Sequence, residues 1–323
     1  MWIADRWQEF ELLDAGDGEK LERWGEIRLR RPDPQAIWPR RDDPDAAGRF
    51  PAGSPWENVH AVYERSSQGG GRWERNLPMP ARWPVSYPGP AGPLRFWIEP
   101  LGFKHTGLFP EQAVNWDFCA RRIAGARADG RTIRILNLFA YTGGATLACA
   151  LAGADEVVHV DAARGMILRA RENLELSGLG DRRVRWIADD VNKFVERELR
   201  RGRRYDGILM DPPAYGRGPS GELWKLEDAV FDLVERCAGL LSDTPLFFIL
   251  NAYTTGLSPS VLKTLLDLSI LPGRGGVSDA AEIGLPATLR PLVLPCGATG
   301  RWIPERACAK EPGHRRPEPD GPV

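Results

Sequence analysis

The chain has 323 residues, a formal net charge of −1 and an isoelectric point near 6.5. That length supports a sizeable core and two domains, and the near-neutral balance excludes a global basic field for recruiting nucleic acid, though a local patch stays open. Five scattered cysteines exclude a disulfide framework or a zinc spacing, four distant histidines suggest no metal centre, and no apolar run of about 18 residues could span a membrane. A reducing, cytoplasmic setting fits. Met1–Arg6 starts no long apolar run, so a secretory signal is not expected.

The first hundred residues are rich in Pro and Gly and carry Trp2, Trp7, Trp24, Trp38, Trp56, Trp73, Trp83 and Trp97. Short alternating pieces such as Glu26–Arg30 and Leu94–Ile98 read as strands. Turn sequences separate them (Ser67–Gly71; Tyr87–Pro90). A small β-rich domain over residues 1–100 is predicted. Its tryptophans could be core or stacking platforms for bases.

From Phe109 the pattern changes. Pro110–Ala120 reads as a helix with proline in its first turn. Strands are then predicted at Thr132–Phe139, Glu156–Asp161, Val184–Ala188, Gly207–Met210 and Leu246–Leu250. Helices alternate with them at Gly144–Ala152, Arg164–Ser177, Val191–Arg200, Leu226–Leu241 and Ser258–Leu268. This alternation predicts an α/β fold with a mostly parallel sheet covered on both faces. Two extended pieces within Ala281–Ile303 suggest an antiparallel hairpin at the sheet edge. Residues 304–323, punctuated by five prolines, read as a disordered tail. Arginine is dense from Arg164 to Arg204; this is either a solvated face or a patch that tracks phosphates.

Three segments could carry chemistry. In the first, Ile135–Gly144, an apolar strand runs into a small-residue turn that opens a helix. Gly143 and Gly144 let backbone approach a ligand, and the helix offers its amides. The three-glycine dinucleotide spacing is absent, which argues against a nicotinamide cofactor. In the second, Asp161 ends a strand about 20 residues later, where a carboxylate can accept from two ribose hydroxyls or cap a helix. Asp190, followed by Val191, could accept from an adenine amino group or serve as a cap. In the third, Asp211-Pro212-Pro213-Ala214-Tyr215 closes another strand. The prolines fix the backbone and leave carbonyls free to accept from a base, and Tyr215 could stack on its ring. The plainer reading is a proline-rich turn. Trp224 and Lys225 fall either near this site or on helix surface and core. No nucleophile elbow and no phosphate-binding Gly-Lys-Ser/Thr loop occurs.

Phe103–Gln112, Leu136–Gly144 and Asp211–Gly216 together resemble the bacterial class I S-adenosylmethionine-dependent ribosomal RNA methyltransferases. Within them the chain is most similar to the large-subunit enzymes that modify cytosine C5 or guanine N7. The resemblance covers about residues 95–303. It implies a Rossmann-like domain over 101–303 with a mostly parallel seven-stranded sheet, S-adenosylmethionine as cofactor and RNA as partner, which the first domain would help to grip. It also implies that Asn137, Phe139, Tyr141, Thr142 and Gly143 form the cofactor loop, with Phe109 and Gln112 over it. Asp161 would hold the ribose and Asp190 the adenine edge. Asp211, Pro212, Pro213 and Tyr215 would frame methyl transfer. One departure matters: cytosine-C5 enzymes attack the ring with a cysteine. Here Asn251-Ala252-Tyr253 stands where such relatives carry it, and Cys296 is the one candidate thiol in a suggestive loop. The departure favours a nitrogen acceptor, with a cytosine-C5 enzyme using Cys296, or a methyltransferase for a small molecule or protein, as alternatives.

Overall fold

A computed structural model describes residues 1–45, 48–66, 70–102, 104–217, 223–254 and 256–305, without the side chains of Arg217 and Leu223. Most of the expected tail, and part of the Ser67–Gly71 turn, lie outside the described residues.

The N-terminal region is β-rich. After β1 (Trp2–Ile3) come β2 (Phe10–Gly16), β3 (Glu19–Trp24), β4 (Ile27–Pro32), β5 (Ala61–Arg65) and β6 (Gly71–Arg75), and the last five form one sheet in chain order. A hairpin, β7 (Trp83–Gly89) and β8 (Gly92–Ile98), follows. All eight tryptophans named above are buried or half-buried. Several indole N–H groups are internally satisfied: Trp24 donates to Glu22, Trp56 to Asp14, Trp83 to the Trp24 carbonyl and Trp7 to the Pro110 carbonyl. Six of the eight, all but Trp2 and Trp97, belong to or pack against the core clusters, and none of the eight is fully exposed.

The alternating part begins with a 3-10 turn at Pro110–Gln112 and α1 (Ala113–Ala128). Then β9 (Arg134–Leu138), α2 (Gly144–Leu151), β10 (Glu156–Asp161), α3 (Arg164–Leu176), β11 (Val184–Ala188) and α4 (Val191–Arg200) wind outward in one direction. The chain returns at β12 (Gly207–Met210), on the other side of β9. A small hairpin, β13 (Tyr215–Arg217) and β14 (Leu223–Lys225), precedes α5 (Leu226–Ala238). β15 (Phe247–Ala252), α6 (Pro259–Ser269) and α7 (Leu271–Arg274) lead to β16 (Val277–Pro286) and β17 (Val293–Ile303), which pair antiparallel.

The main sheet has the order β1-β16-β17-β15-β12-β9-β10-β11. It has eight strands among the described residues, one more than the seven expected, because β1 adds in parallel to β16. A two-residue strand offers too little pattern to be read from sequence. The central strands are buried on both faces, as in Val157–Val160 and Gly207–Met210, because helices cover both sides. One core cluster spans both regions, from Phe10, Trp24 and Phe96 to Trp116, Leu147 and Leu174.

Strand order reverses between β9 and β12, so their carboxyl ends flank a crevice. Of the dense arginines, Arg182 and Arg183 precede β11, Arg200 ends α4, and Arg201, Arg203 and Arg204 lie between α4 and β12. All six are exposed at the opposite ends of the strands.

Candidate active site

A cleft of about 480 Å³ opens at the carboxyl ends of β9 and β12. Phe109, Gln112, Asn137, Phe139, Tyr141, Thr142, Gly143 and Asp211 line it, together with Trp116, Gly144 and Asn251.

The loop after β9 bends sharply. Phe139 and Tyr141 take φ of 55° and 49°, and Gly143 takes 88°. Two non-glycine residues in this region cost on the order of 1–3 kcal/mol each, so their surroundings must hold them there. They do so by hydrogen bonds. Ala140 N–H donates to the Val160 carbonyl (3.0 Å) and Tyr141 N–H to Asp161 Oδ2 (2.8 Å). The Thr142 hydroxyl donates to the Gly107 carbonyl (2.6 Å), and Asn173 Nδ2 donates to the Thr142 carbonyl (3.0 Å). Packing fixes the glycines as well: a Cβ on Gly144 would sit 2.5 Å from the Trp116 ring. Asn137, buried at the strand end, donates through Nδ2 to Thr146 Oγ1 (2.9 Å) and ties β9 to α2.

Asp161 does not line the cleft; it stands one hydrogen bond behind, with Oδ1 accepting from Ala163 N–H (2.8 Å). Burial holds its carboxyl above the usual value, against those two backbone bonds. Each oxygen keeps a lone pair for another donor. Asp190 caps α4, its Oδ1 accepting from Lys193 N–H (3.0 Å). Asp189 accepts from Asp190 N–H (2.9 Å) and pairs with Arg197. The capping role weighed for Asp190 is therefore occupied in the structure.

The opposite wall comes from β12. Asp211 is half-buried at the strand end, and its Oδ1 has no hydrogen-bond partner. Burial, reinforced by the Glu111 charge, raises its pKa to about 7. Pro212 is buried and Pro213 exposed. The Pro213 carbonyl is already occupied, accepting from Trp224 Nε1 (2.7 Å). The Trp224 indole lies 5.9 Å from the Phe139 ring. Tyr215, expected to stack on a substrate ring, sits on β13 with 59% of its surface exposed, while Trp224, across the hairpin, packs over Phe139.

A polar network beneath the cleft had no sequence signal beyond Gln112. Tyr253 Oη donates to Glu111 Oε1 (3.1 Å) and accepts from Gln112 Nε2 (2.8 Å). Asn115 Nδ2 donates to Gln112 Oε1 (2.9 Å) and Asn251 Oδ1 (3.0 Å). Arg301 Nε closes the far end on Asn115 Oδ1 (2.9 Å). The Asn251–Tyr253 segment drew notice only for lacking a cysteine, and it turns out to supply the cleft's polar floor. Cys296 is buried, donates weakly to the Leu294 carbonyl (3.4 Å) and does not line the cleft. Burial and the Glu111 charge push its thiol well up, which disfavours the thiolate a nucleophile requires.

The cleft suits a nucleoside with a charged amino-acid end: amides of a helix start on one side, acceptor carboxylates on the other, and apolar rings between. Known proteins agree. The profile of a family described as S-adenosylmethionine-dependent methyltransferase matches residues 87–240. The structure of an S-adenosylmethionine-dependent methyltransferase from Agrobacterium tumefaciens is 35% identical, with a TM-score of 0.83 over 94% of this chain and 93% of that one. A methyltransferase structure from Streptococcus mutans, at 15% identity and a TM-score of 0.69, shares the fold. Among curated proteins, ribosomal RNA large subunit methyltransferase K/L of Chromohalobacter salexigens is 33% identical over 185 residues, 57% of this chain and 22% of its own length. Its counterpart in Allochromatium vinosum is 31% identical over 63% of this chain and 26% of its own. The chain thus spans about a quarter or less of these curated relatives.

Proposed function

Because the chain belongs to the S-adenosylmethionine-dependent methyltransferase family, we propose that it methylates a base nitrogen of RNA, with ribosomal RNA as the substrate. When bound, the cofactor supplies a methyl group on a cationic sulfur that leaves as a neutral thioether. The loop Phe139–Gly143 and the first turn of α2 would hold its amino-acid end. Asp161 would receive the ribose and Asp190 the adenine edge. Phe109 and Gln112 would cover it. Asp211, Pro212 and Pro213 would present the acceptor ring, and Tyr215 would meet the RNA at the rim.

The observation that carries the nitrogen reading is the acceptor wall itself. It offers a carboxyl with an unpartnered oxygen and, among the described residues, no thiol in its lining. A ring nitrogen with a free lone pair needs only alignment, and an N–H nitrogen loss of a proton besides, whereas cytosine C5 needs a covalent nucleophile. The burial of Cys296 weighs against that alternative. The ribosomal substrate is supported by the names of the curated relatives. A cytoplasmic location goes with it, as does a division of labour in which residues 1–100 assist RNA binding and 101–303 carry the cofactor.

The net charge of −1, with the exposed arginines at the far ends of the strands, favours a second reading: a small-molecule or protein acceptor. Labelled methyl transfer to total RNA from a strain lacking the gene separates the two. Incorporation into RNA, with affinity that falls steeply as salt rises, is expected. Label that enters only protein or small molecules overturns the RNA assignment.

A further inference from the structure

Building on the RNA-base reading, we propose that Asn251 determines which base is accepted, by donating its side-chain N–H to a carbonyl oxygen of that base, and that Arg301 and Asn115 are positioning residues that hold Asn251 as a donor.

Arg301 sets the direction of the whole network. A guanidinium carries donors and no acceptor. The Trp2 and Phe118 rings pin it, their centroids 3.9 and 4.5 Å from its central carbon. Nε and one terminal nitrogen both reach Asn115 Oδ1 (2.9 and 2.7 Å), and the same terminal nitrogen donates to the Val114 carbonyl (3.0 Å). Asn115 must therefore turn its oxygen to Arg301 and its two N–H groups away. These meet Gln112 Oε1 (2.9 Å) and Asn251 Oδ1 (3.0 Å), with Thr299 Oγ1 farther off at 3.3 Å. A reversed Asn251 would set N–H against N–H between two buried amides, which a dry site does not tolerate. Asn251 thus uses its oxygen inward and keeps its Nδ2 hydrogens, which no described residue accepts, for the cleft it lines.

Its place in the sheet says what it meets. Met210 of β12 pairs with Leu250 of β15, so Asp211 and Asn251, the next residues, stand side by side. β12 separates β15 from β9, so Asn251 lies on the side of the cleft away from the cofactor loop, where an acceptor base would sit. The donor is recessed, with 4% of the residue exposed. Only a polar group that projects from a ring can reach it. Bases carry two such groups, carbonyl oxygens and amines. An amine would bring a second donor, whereas a carbonyl accepts. Guanine, uracil and cytosine have a carbonyl on the ring, and adenine has none.

The test begins with the intact protein without RNA. With asparagine labelled in nitrogen-15, the Asn251 side-chain pair, known by its loss in Asn251→Asp, should exchange with water about tenfold faster than the Asn115 pair. Asn115→Asp still accepts from Arg301 but no longer donates, so Asn251 should turn its N–H inward and its exchange should slow by about tenfold. Should that variant fail to fold, Arg301→Met removes the fixed donors and Arg301→Lys keeps one; exchange should slow in the first and not in the second. On RNA, Asn251→Asp should lower kcat/KM by about 10²-fold or more, with cofactor affinity by calorimetry changed less than about twofold. Digestion of RNA methylated by the wild type should place the label in guanosine, uridine or cytidine. Label in adenosine, or an Asn251 pair that exchanges as slowly as Asn115, overturns the proposal. Absence of label from RNA refutes the substrate reading, and the exchange rates then uphold or overturn the donor by themselves.

Discussion

The two walls of the cleft are built on opposite terms. The wall from β9 is largely self-satisfied: the Tyr141 and Ala163 amides reach Asp161, Thr142 reaches Gly107, and Asn173 reaches Thr142. Its exception is the buried Tyr141 hydroxyl, which has no partner and which burial pushes up to about 12. The wall from β12 is left incomplete, with a free carboxylate oxygen and a second buried carboxyl nearby. On the proposed reading, the first wall would be shaped in advance for the cofactor. The second would hold polar capacity that none of the described side chains uses.

The sharpest way to break this comparison is at Asp211. Asp211→Asn keeps shape and removes basicity. Methyl transfer to RNA should fall by about 10²–10⁴-fold in kcat, with cofactor binding nearly unchanged. The same variant should gain stability, and the sign follows from the direction of the shift. The folded-state value of Asp211 is raised from 3.8 to about 7, so its stabilising contribution is complete below the unfolded value and is lost as pH climbs towards 7. Thermal melts should show the advantage of Asp211→Asn growing from pH 4 to 7 and levelling above. A variant that melts like the wild type at pH 8 would show that this carboxyl carries no strain.

The other wall should fail by crowding. Gly144→Ala drives a methyl against the Trp116 ring, which is itself packed against Tyr87 and Phe96. A loss of about 1–3 kcal/mol is expected, read by denaturant titration. Asp161→Ala removes the acceptor for the Tyr141 and Ala163 amides, so it should weaken cofactor binding by well over tenfold in calorimetry and loosen the strained turn. Unchanged affinity would remove Asp161 from the cofactor side.

Much of the first wall was legible in the sequence, because it is local. A strand, a glycine turn and a helix start are consecutive, and Asp161 follows at a set distance along one βαβ unit. The strands Glu156–Asp161, Val184–Ala188 and Gly207–Met210 coincide with their predicted spans for the same reason. The second wall is assembled from afar. Glu111, Asp211, Tyr253 and Arg301 come from separate elements, and the Tyr253–Glu111 and Arg301–Asn115 hydrogen bonds join residues more than a hundred positions apart. Periodicity carries no information about such pairs. Nor could it decide between Tyr215 and Trp224: both are aromatic, close in sequence and on one hairpin, and only the fold turns one outward and the other over Phe139.

Trp224 therefore gives the finest test of how the incomplete wall is held. Its indole N–H engages the Pro213 carbonyl, which the sequence alone would leave free for substrate, and its ring backs Phe139. Trp224→Phe keeps an aromatic ring and deletes one neutral hydrogen bond, worth about 0.5–1.5 kcal/mol. If the bond serves to hold the twin-proline turn, the loss should fall on kcat, about two- to tenfold, while cofactor affinity stays constant. Trp224→Leu, which also removes the ring, should add a rise in KM for RNA. Equal kinetics in the wild type and Trp224→Phe would mean that two consecutive prolines hold the turn unaided, through φ angles their rings already restrict.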